Sequence, residues 1–254
     1  MKFLRQLKIG MISYIDAIKF IADNRLWLYF IPPLLLSASI LWGGYALESS
    51  LEIDDSIKDV STIRELMTEM VRYFLLSSVV VLAYEFRKYL VFILLSPMLT
   101  SLSLKTEKII TGNTYTFTRQ QYWSDIRRAL RIATGNLIVQ YLILAAWFIL
   151  STLIPSLKPA TTVVIFIVYS YFYGFCLIDY VNERRRLNIE QSVKFVRENA
   201  GLAIGSGLIF SGLFFIPYDI GVIFAPVLGI VAGCIGMHKV VDLNKTVYAV
   251  SKYK

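Results

Sequence analysis

Charge is what this sequence has least of. Only 17% of its 254 residues are Asp, Glu, Lys or Arg, against about a quarter in a soluble domain. The deficit is uneven, because several stretches of about twenty residues, the length of a membrane span, carry no charge. A soluble helix needs one apolar stripe, whereas a helix in lipid is apolar all round. The short apolar runs and polar loops of a soluble α/β enzyme are missing. Histidine is scarcer still. The single one, His238, reads as an interfacial residue at a helix end. No general base, metal-ligand spacing or cofactor motif is left to support catalysis, so no enzyme is expected. The two cysteines, Cys176 and Cys234, both lie inside apolar runs. That excludes a disulfide framework of the secreted kind and predicts inert buried thiols. No small-residue cleavage site precedes the first apolar run, so no cleavable signal peptide is expected.

What remains is apolar: 56% of the chain is aliphatic, aromatic, methionine or cysteine. The composition predicts an all-α integral membrane protein, with residues 1–254 forming a single membrane domain. Basic residues outnumber acidic ones 26 to 18, for a net charge of +8. In such a chain the excess points to cytoplasmic segments facing anionic lipid and not to nucleic acid. Residues 1–25 carry Lys2, Arg5, Lys8, Lys19 and Arg25, with Leu4, Leu7, Met11, Ile18 and Ile21 at helical spacing. This suits a helix lying in the membrane interface; a frayed cytoplasmic helix is the plainer alternative. Residues 26–47 follow, 22 residues without a charge. Their length as a helix, about 33 Å, is enough to cross the hydrocarbon layer. Trp27 and Tyr29 open this span and Trp42 and Tyr45 close it, as interfacial aromatics do. Pro32 and Pro33 fall in its first turns, where a missing amide donor costs least.

Residues 48–72 hold seven acidic and three basic residues. Every other sizeable polar segment is rich in lysine or arginine, so this one is expected outside and the N-terminus inside. Residues 73–99 form the return span, interrupted by Glu85, Arg87 and Lys88. Such charges either pair within the membrane, as Glu85 and Lys88 could on one helix face, or snorkel to the inner headgroups. A basic segment from Lys105 to Arg131 suggests a surface helix carrying Arg127, Arg128 and Arg131. Two further apolar units occupy 133–178, broken at Pro155–Pro159, and 199–237, broken at Ile216–Asp219. Basic residues flank both, including Arg184, Arg185 and Arg186 between them and the lysines of the 238–254 tail, so both termini are expected in the cytoplasm. Each unit is either two full spans or a re-entrant hairpin, and charge parity fits both. Gly201/Gly205 and Gly229/Gly233 have the small-xxx-small spacing that lets helices touch. Asp219, the one acid in the second unit, most simply caps the second arm. The arginine triplet serves as a topology determinant or holds anions and phosphate headgroups.

In order along the chain, Ser96-Pro97, Glu107, Thr111-Gly112, Asp179-Tyr180, Arg184 to Arg186, Gly205, Ile216-Pro217, Ala225-Pro226 and Gly233 resemble the CysZ-type sulfate permease family. That family is related to the etoposide-induced membrane proteins. The resemblance runs from about Ile18 to His238. It implies two long transmembrane helices plus two re-entrant (hemi-penetrating) helical hairpins and interfacial amphipathic helices, assembled as a homo-oligomer. It also implies the bacterial inner membrane and transport of sulfate or a similar small oxyanion. A non-transporting membrane-organising or interaction protein sharing the fold is the alternative. Permeases of the family carry a glycine, an aliphatic residue and one or two arginines just before the first span. Here Arg25, Leu26 and Trp27 stand over that motif: one arginine survives, displaced, and the glycine is absent. Arg25 with the amides of Leu26 and Trp27 is therefore the first candidate anion site, and Arg184, Arg185 and Arg186 are the second.

Overall fold

A computed structural model describes residues 2–50, 62–112, 119–185, 187–216 and 220–241. Within them, the side chains of 76–93, and so of Glu85, Arg87 and Lys88, lie outside the described part, as do residues Arg186 and Asp219 altogether. All elements among the described residues are helical.

Helix α1 (Lys2–Asp23) buries Gln6, Gly10, Ser13, Tyr14, Ala17 and Ile21, a narrow face of mostly small and polar residues. Large apolar residues on that face would hold the neighbouring backbones apart. Leu4, Met11, Ile15 and Ile18 stay exposed on the stripe next to it, and exposed Lys8 and Lys19 lie beyond. The helix thus has the amphipathic surface expected of an interfacial helix, with a third face against protein. Ile21 belongs to that third face and is buried.

The first predicted span is a 3-10 helix, Leu26–Phe30, continuing into α2 (Ile31–Ser50). Pro32 and Pro33 sit in the first turn of α2, where their missing amides have no intrahelical partner to lose. The predicted return span, 73–99, lies inside a longer helix, α3 (Ile63–Thr111). Its 49 residues make about 73 Å of helix, more than twice the hydrocarbon thickness. Thr62 and Glu65 form a capping box at its start, and Gly112 closes it in the left-handed conformation, φ 76°.

Helix α4 (Arg119–Leu153) shows that Arg127, Arg128 and Arg131 do not lie on a separate surface helix. They occupy the first turns of the helix that carries the next apolar run. A 3-10 helix, Pro155–Ala160, with no buried residue, joins α4 to α5 (Thr161–Arg184). The indole Nε1 of Trp147 donates to Thr161 Oγ1 at 3.2 Å beside this joint. A short amphipathic helix, α6 (Ile189–Glu198), is capped by Asn188 and Gln191. Then come α7 (Ala200–Leu213) and α8 (Ile220–Val240).

Three helices among the described residues are long and apolar enough to cross a membrane: Leu130–Leu153, Pro155–Arg184 and Ile220–Val240. They differ in what surrounds them. In its most apolar window α8 is 78% buried within the chain, while the Leu130–Leu153 stretch is 11% buried and presents its apolar surface outward. Helix α7, with 14 residues, extends about 21 Å, too short to cross the hydrocarbon layer alone.

Helix α7 is clamped between α1 and α5 at backbone contact on both sides. A methyl group added at Gly10 would sit 2.6 Å from the Ser206 nitrogen, and one at Gly201 or Gly205 would collide with the carbonyl of Phe3 or Leu7. On the opposite side, methyls at Gly174 and Gly207 would collide with the carbonyls of Ala203 and Ser170. The Gly201/Gly205 pair thus does what its spacing predicts, and its partner is the N-terminal helix. The Gly229/Gly233 pair instead receives the side chain of Leu177 from α5.

Candidate functional site

Burying a cation in an apolar bundle costs several kcal/mol unless charged and polar partners surround it. Two such arrangements stand at the end of the bundle where α3 and α5 finish and α4 begins.

The first is built on Arg184, in the last turn of α5. Its Nε donates to Glu107 Oε2 of α3 at 2.7 Å; the two side chains are 5% and 0% exposed. Its Nη1 donates to Ser103 Oγ, one turn earlier on α3, and its Nη2 lies 3.5 Å from Cys234 Sγ on α8. Ser103 Oγ and Cys234 Sγ are themselves 3.1 Å apart. All three guanidinium nitrogens are therefore used, on two different helices. A guanidinium suits this task because its planar fork offers five N–H groups in fixed directions. Glu107 is set near the C-terminal end of α3, where the helix dipole opposes a negative charge, and the Arg184 cation offsets that penalty.

The second is built on Asp179, one turn before Arg184 on the same helix. Arg128 of α4 reaches Asp179 Oδ1 with Nη2 at 2.8 Å and donates through Nη1 to the Leu187 carbonyl at 2.5 Å. Ser192 of α6 donates to the same Asp179 oxygen at 2.5 Å, and Asn182 Nδ2 donates to Ser192 Oγ at 3.0 Å. Next to Asp179, Tyr180 hydrogen-bonds Ser96 of α3. Arg185 is buried.

The other predicted site residues lie elsewhere. Arg25 is exposed and holds a left-handed backbone, φ 53°, at the start of the 3-10 helix, a conformation that suits glycine better than arginine. Leu26 is fully buried and Trp27 is 53% exposed. Four residues on, Tyr29 lies under the ammonium of Lys105, 5.6 Å from the ring centre, with its hydroxyl 3.4 Å from Ser101 Oγ. Two cations, Arg25 and Lys105, thus belong to the neighbourhood of the first span's start, the second supplied by α3. The sequence signals the Arg184 partners poorly. Ser103 and Cys234 look like ordinary small residues of apolar helices, 131 positions apart, and only the fold brings them together.

A family model described as Sulfate transporter CysZ/Etoposide-induced protein 2.4 matches residues 13–235. No individually curated protein matches the chain.

Proposed function

Because the chain belongs to the sulfate transporter CysZ/etoposide-induced protein 2.4 family, we propose that it passes sulfate, or an oxyanion of similar size and charge, across a membrane. The observation that carries this reading beyond family membership is the desolvated guanidinium of Arg184 at the end of a candidate span. Sulfate gives up a strong hydration shell, so its path must supply several donors and positive charge in a dry place. Arg184 places such a positive charge inside the bundle, held by Glu107, Ser103 and Cys234. Arg25, Lys105 and the amides of Leu26 and Trp27 offer a more open point of first contact.

The accompanying architecture is a homo-oligomer in a bacterial inner membrane with both termini in the cytoplasm. Residues 26–47 and 73–99 span, and the two later apolar units are re-entrant. The 14 residues of α7 and the burial of α8 support a re-entrant second unit. In the first unit, the outward apolar surface of α4 is suited to lipid or a second copy, and the exposed Pro155–Ala160 turn is not enclosed by its own chain. Lys158→Cys tests the depth of that turn. Slow reaction with an impermeant thiol reagent from outside is expected; rapid labelling would make the unit a pair of full spans.

Radiolabelled sulfate uptake by purified protein in proteoliposomes tests the function. Uptake above protein-free vesicles is expected. Binding is expected to be weaker than in relatives with the full glycine–arginine motif, and Arg25→Ala lowers it further, by about tenfold for one lost charge-assisted contact. Titration in detergent measures the last step. Binding unaffected by Arg25→Ala would move first contact away from the span start. Absence of any uptake would favour the membrane-organising alternative, in which both ion pairs act only as staples.

A further inference from the structure

Helix α1 does not run along the α7/α8 hairpin but lies across it. Its Phe3 and Leu7 carbonyls rest on Gly201 and Gly205, and its Gly10 rests on Ser206. Gln6 donates to Asn199 Oδ1 at 2.6 Å. Further along, Ser13 meets Gly236 of α8, beside Leu202, and Asp16 pairs with Lys239. From Phe3 to Asp16 the helix advances about 20 Å, while its partners stay within a band of about 10 Å along the hairpin. A helix seated in this way lies close to the plane of any membrane that the hairpin enters.

The outward side of α1 is divided. Leu4, Met11, Ile15 and Ile18 are 37–70% exposed and form one apolar stripe. Lys8 and Lys19 are exposed along one edge of it, and exposed Arg5 lies further round. Of the two acids on the helix, Asp16 is engaged by Lys239 and Asp23 is the last residue. The level of α1 carries two more marks of an interface. The contacts of Gly174 with Ala203 and of Gly207 with Ser170 bring residues 170–174 of α5 to the same level. Tyr169 and Tyr171 are half-buried there, and the charge of exposed Arg197 is felt at Tyr171. Tyrosines and snorkelling arginines belong at headgroups. From this level α5 rises about 15 Å to Thr161, and α7 rises about 15 Å from Ala203 to Leu213, half of a hydrocarbon layer of about 30 Å. The two arms meet at Phe166 and Phe215, whose ring centres are 5.7 Å apart, so both stop at the same depth.

We propose that this side of α1 is seated on the anionic phospholipid headgroups of the leaflet that the hairpins enter, with its stripe among the acyl chains and Lys8 and Lys19 at the phosphates. What the chain passes does not enter the inference, which takes from the reading above only that the hairpins enter a membrane. Lipid is the occupant because the exposed apolar surface continues past α1 into Trp27, Leu28 and Ile31 at the start of the first predicted span, so one bilayer covers both. Lysines beside an aliphatic stripe suit it too, since their stems lie along the acyl chains while the ammonium groups reach the phosphates. Each lysine strengthens attraction to an anionic surface about fivefold. Because α7 is clamped to α1 at backbone contact, the seat of α1 also fixes how deep the hairpin sinks.

The test follows a nitroxide on Ile15→Cys or Arg5→Cys of the full chain, in a Cys176→Ser/Cys234→Ser background in proteoliposomes. Oxygen, which concentrates among acyl chains, and a water-soluble nickel chelate report its surroundings. At Ile15 oxygen collisions are expected to exceed those of nickel, and at Arg5 the reverse. Mixing phosphatidylglycerol into phosphatidylcholine is expected to raise the oxygen preference at Ile15, and Lys8→Gln/Lys19→Gln to remove that gain. Equal nickel access at Ile15 and Arg5 overturns the proposal. So does a label at Ile15 that neither reagent reaches, which would place a second copy or another protein on the stripe, and so does a lipid response that the two lysines leave unchanged. Where the labelled background does not fold, the parent chain and Lys8→Gln/Lys19→Gln, with both cysteines intact, are unfolded thermally in neutral micelles containing either lipid. Phosphatidylglycerol is expected to raise the unfolding temperature of the parent by several degrees over phosphatidylcholine, and that of the variant by much less; equal gains overturn the proposal. Sulfate uptake bears on none of these outcomes, so the transport reading and this one fail separately.

Discussion

Gly207→Leu is expected to eliminate the folded bundle, the largest effect of any single substitution on the α7 face. A side chain there has nowhere to go, because its first carbon already collides with the Ser170 carbonyl of α5. Overpacking against flexible side chains costs about 1–3 kcal/mol; here the obstacle is backbone, so α5 and α7 must separate. Separation breaks the companion contact at Gly174 and exposes Ser170, Ser206 and Ser211, all buried at present. Gly212, near the end of the same helix, is the control, since a Cβ there meets nothing within 4 Å. Gly212→Ala should match the parent or gain up to about 1 kcal/mol in helix propensity. Yield of monodisperse protein in detergent, compared between the two variants, reads the difference directly. Normal yield of Gly207→Leu would mean that α5 and α7 are not in backbone contact.

Arg184→Met comes second. It retains bulk and removes the charge that lies 2.7 Å from the buried Glu107 carboxylate. Breaking a buried pair from one side costs about 3–5 kcal/mol. The double variant Arg184→Met/Glu107→Gln removes the orphaned charge as well and should recover most of the loss, because a neutral pair at this depth no longer has a desolvated ion to satisfy. Thermal unfolding of parent, single and double variants forms the cycle. Equal destabilisation of the single and double variants would show that the guanidinium contacts to Ser103 and Cys234, and not the charge pair, hold the helix ends together. Neither result alone bears on anion binding, which titration with sulfate reads separately.

Much of the fold is legible in the sequence for reasons that are local. The charge-free run after Arg25, the prolines in its first turn and the capping residues at Asn188 and Gln191 act within a few positions, and the helices form where these signals lie. The motif fragments do better than their spacing alone would allow. Ser96 meets Tyr180, Glu107 meets Arg184, Gly205 meets Leu7 and Gly233 meets Leu177. These are points where helices distant in sequence touch.

What the sequence hides is the site's cast. An arginine triplet after a span reads as a topology signal, and nothing near Arg184 in the chain reveals that its partners lie 77 and 50 positions away. Cys234 looks inert for the same reason. The extent of α3 is hidden differently. Hydropathy marks only the part of a helix that needs lipid, so the ten residues before Tyr73 and the twelve after Leu99 read as polar segments although α3 runs through both.

The clamp on α7 also fixes an order of events during synthesis. Helix α1 leaves the ribosome well before α7 and α8, yet the residues that cover its buried face lie there, from Asn199 on. At about 5–20 residues per second, some 180 residues of intervening chain take roughly 10–40 s to make. Through that interval Gly10, Ser13 and Gln6 have no backbone to rest against, and only the exposed stripe of Leu4, Met11, Ile15 and Ile18 can hold the helix anywhere. The stripe therefore acts as a parking place. An apolar stripe of this kind suits a bilayer surface, where α1 would wait until α7 and α8 are made and cover its other face.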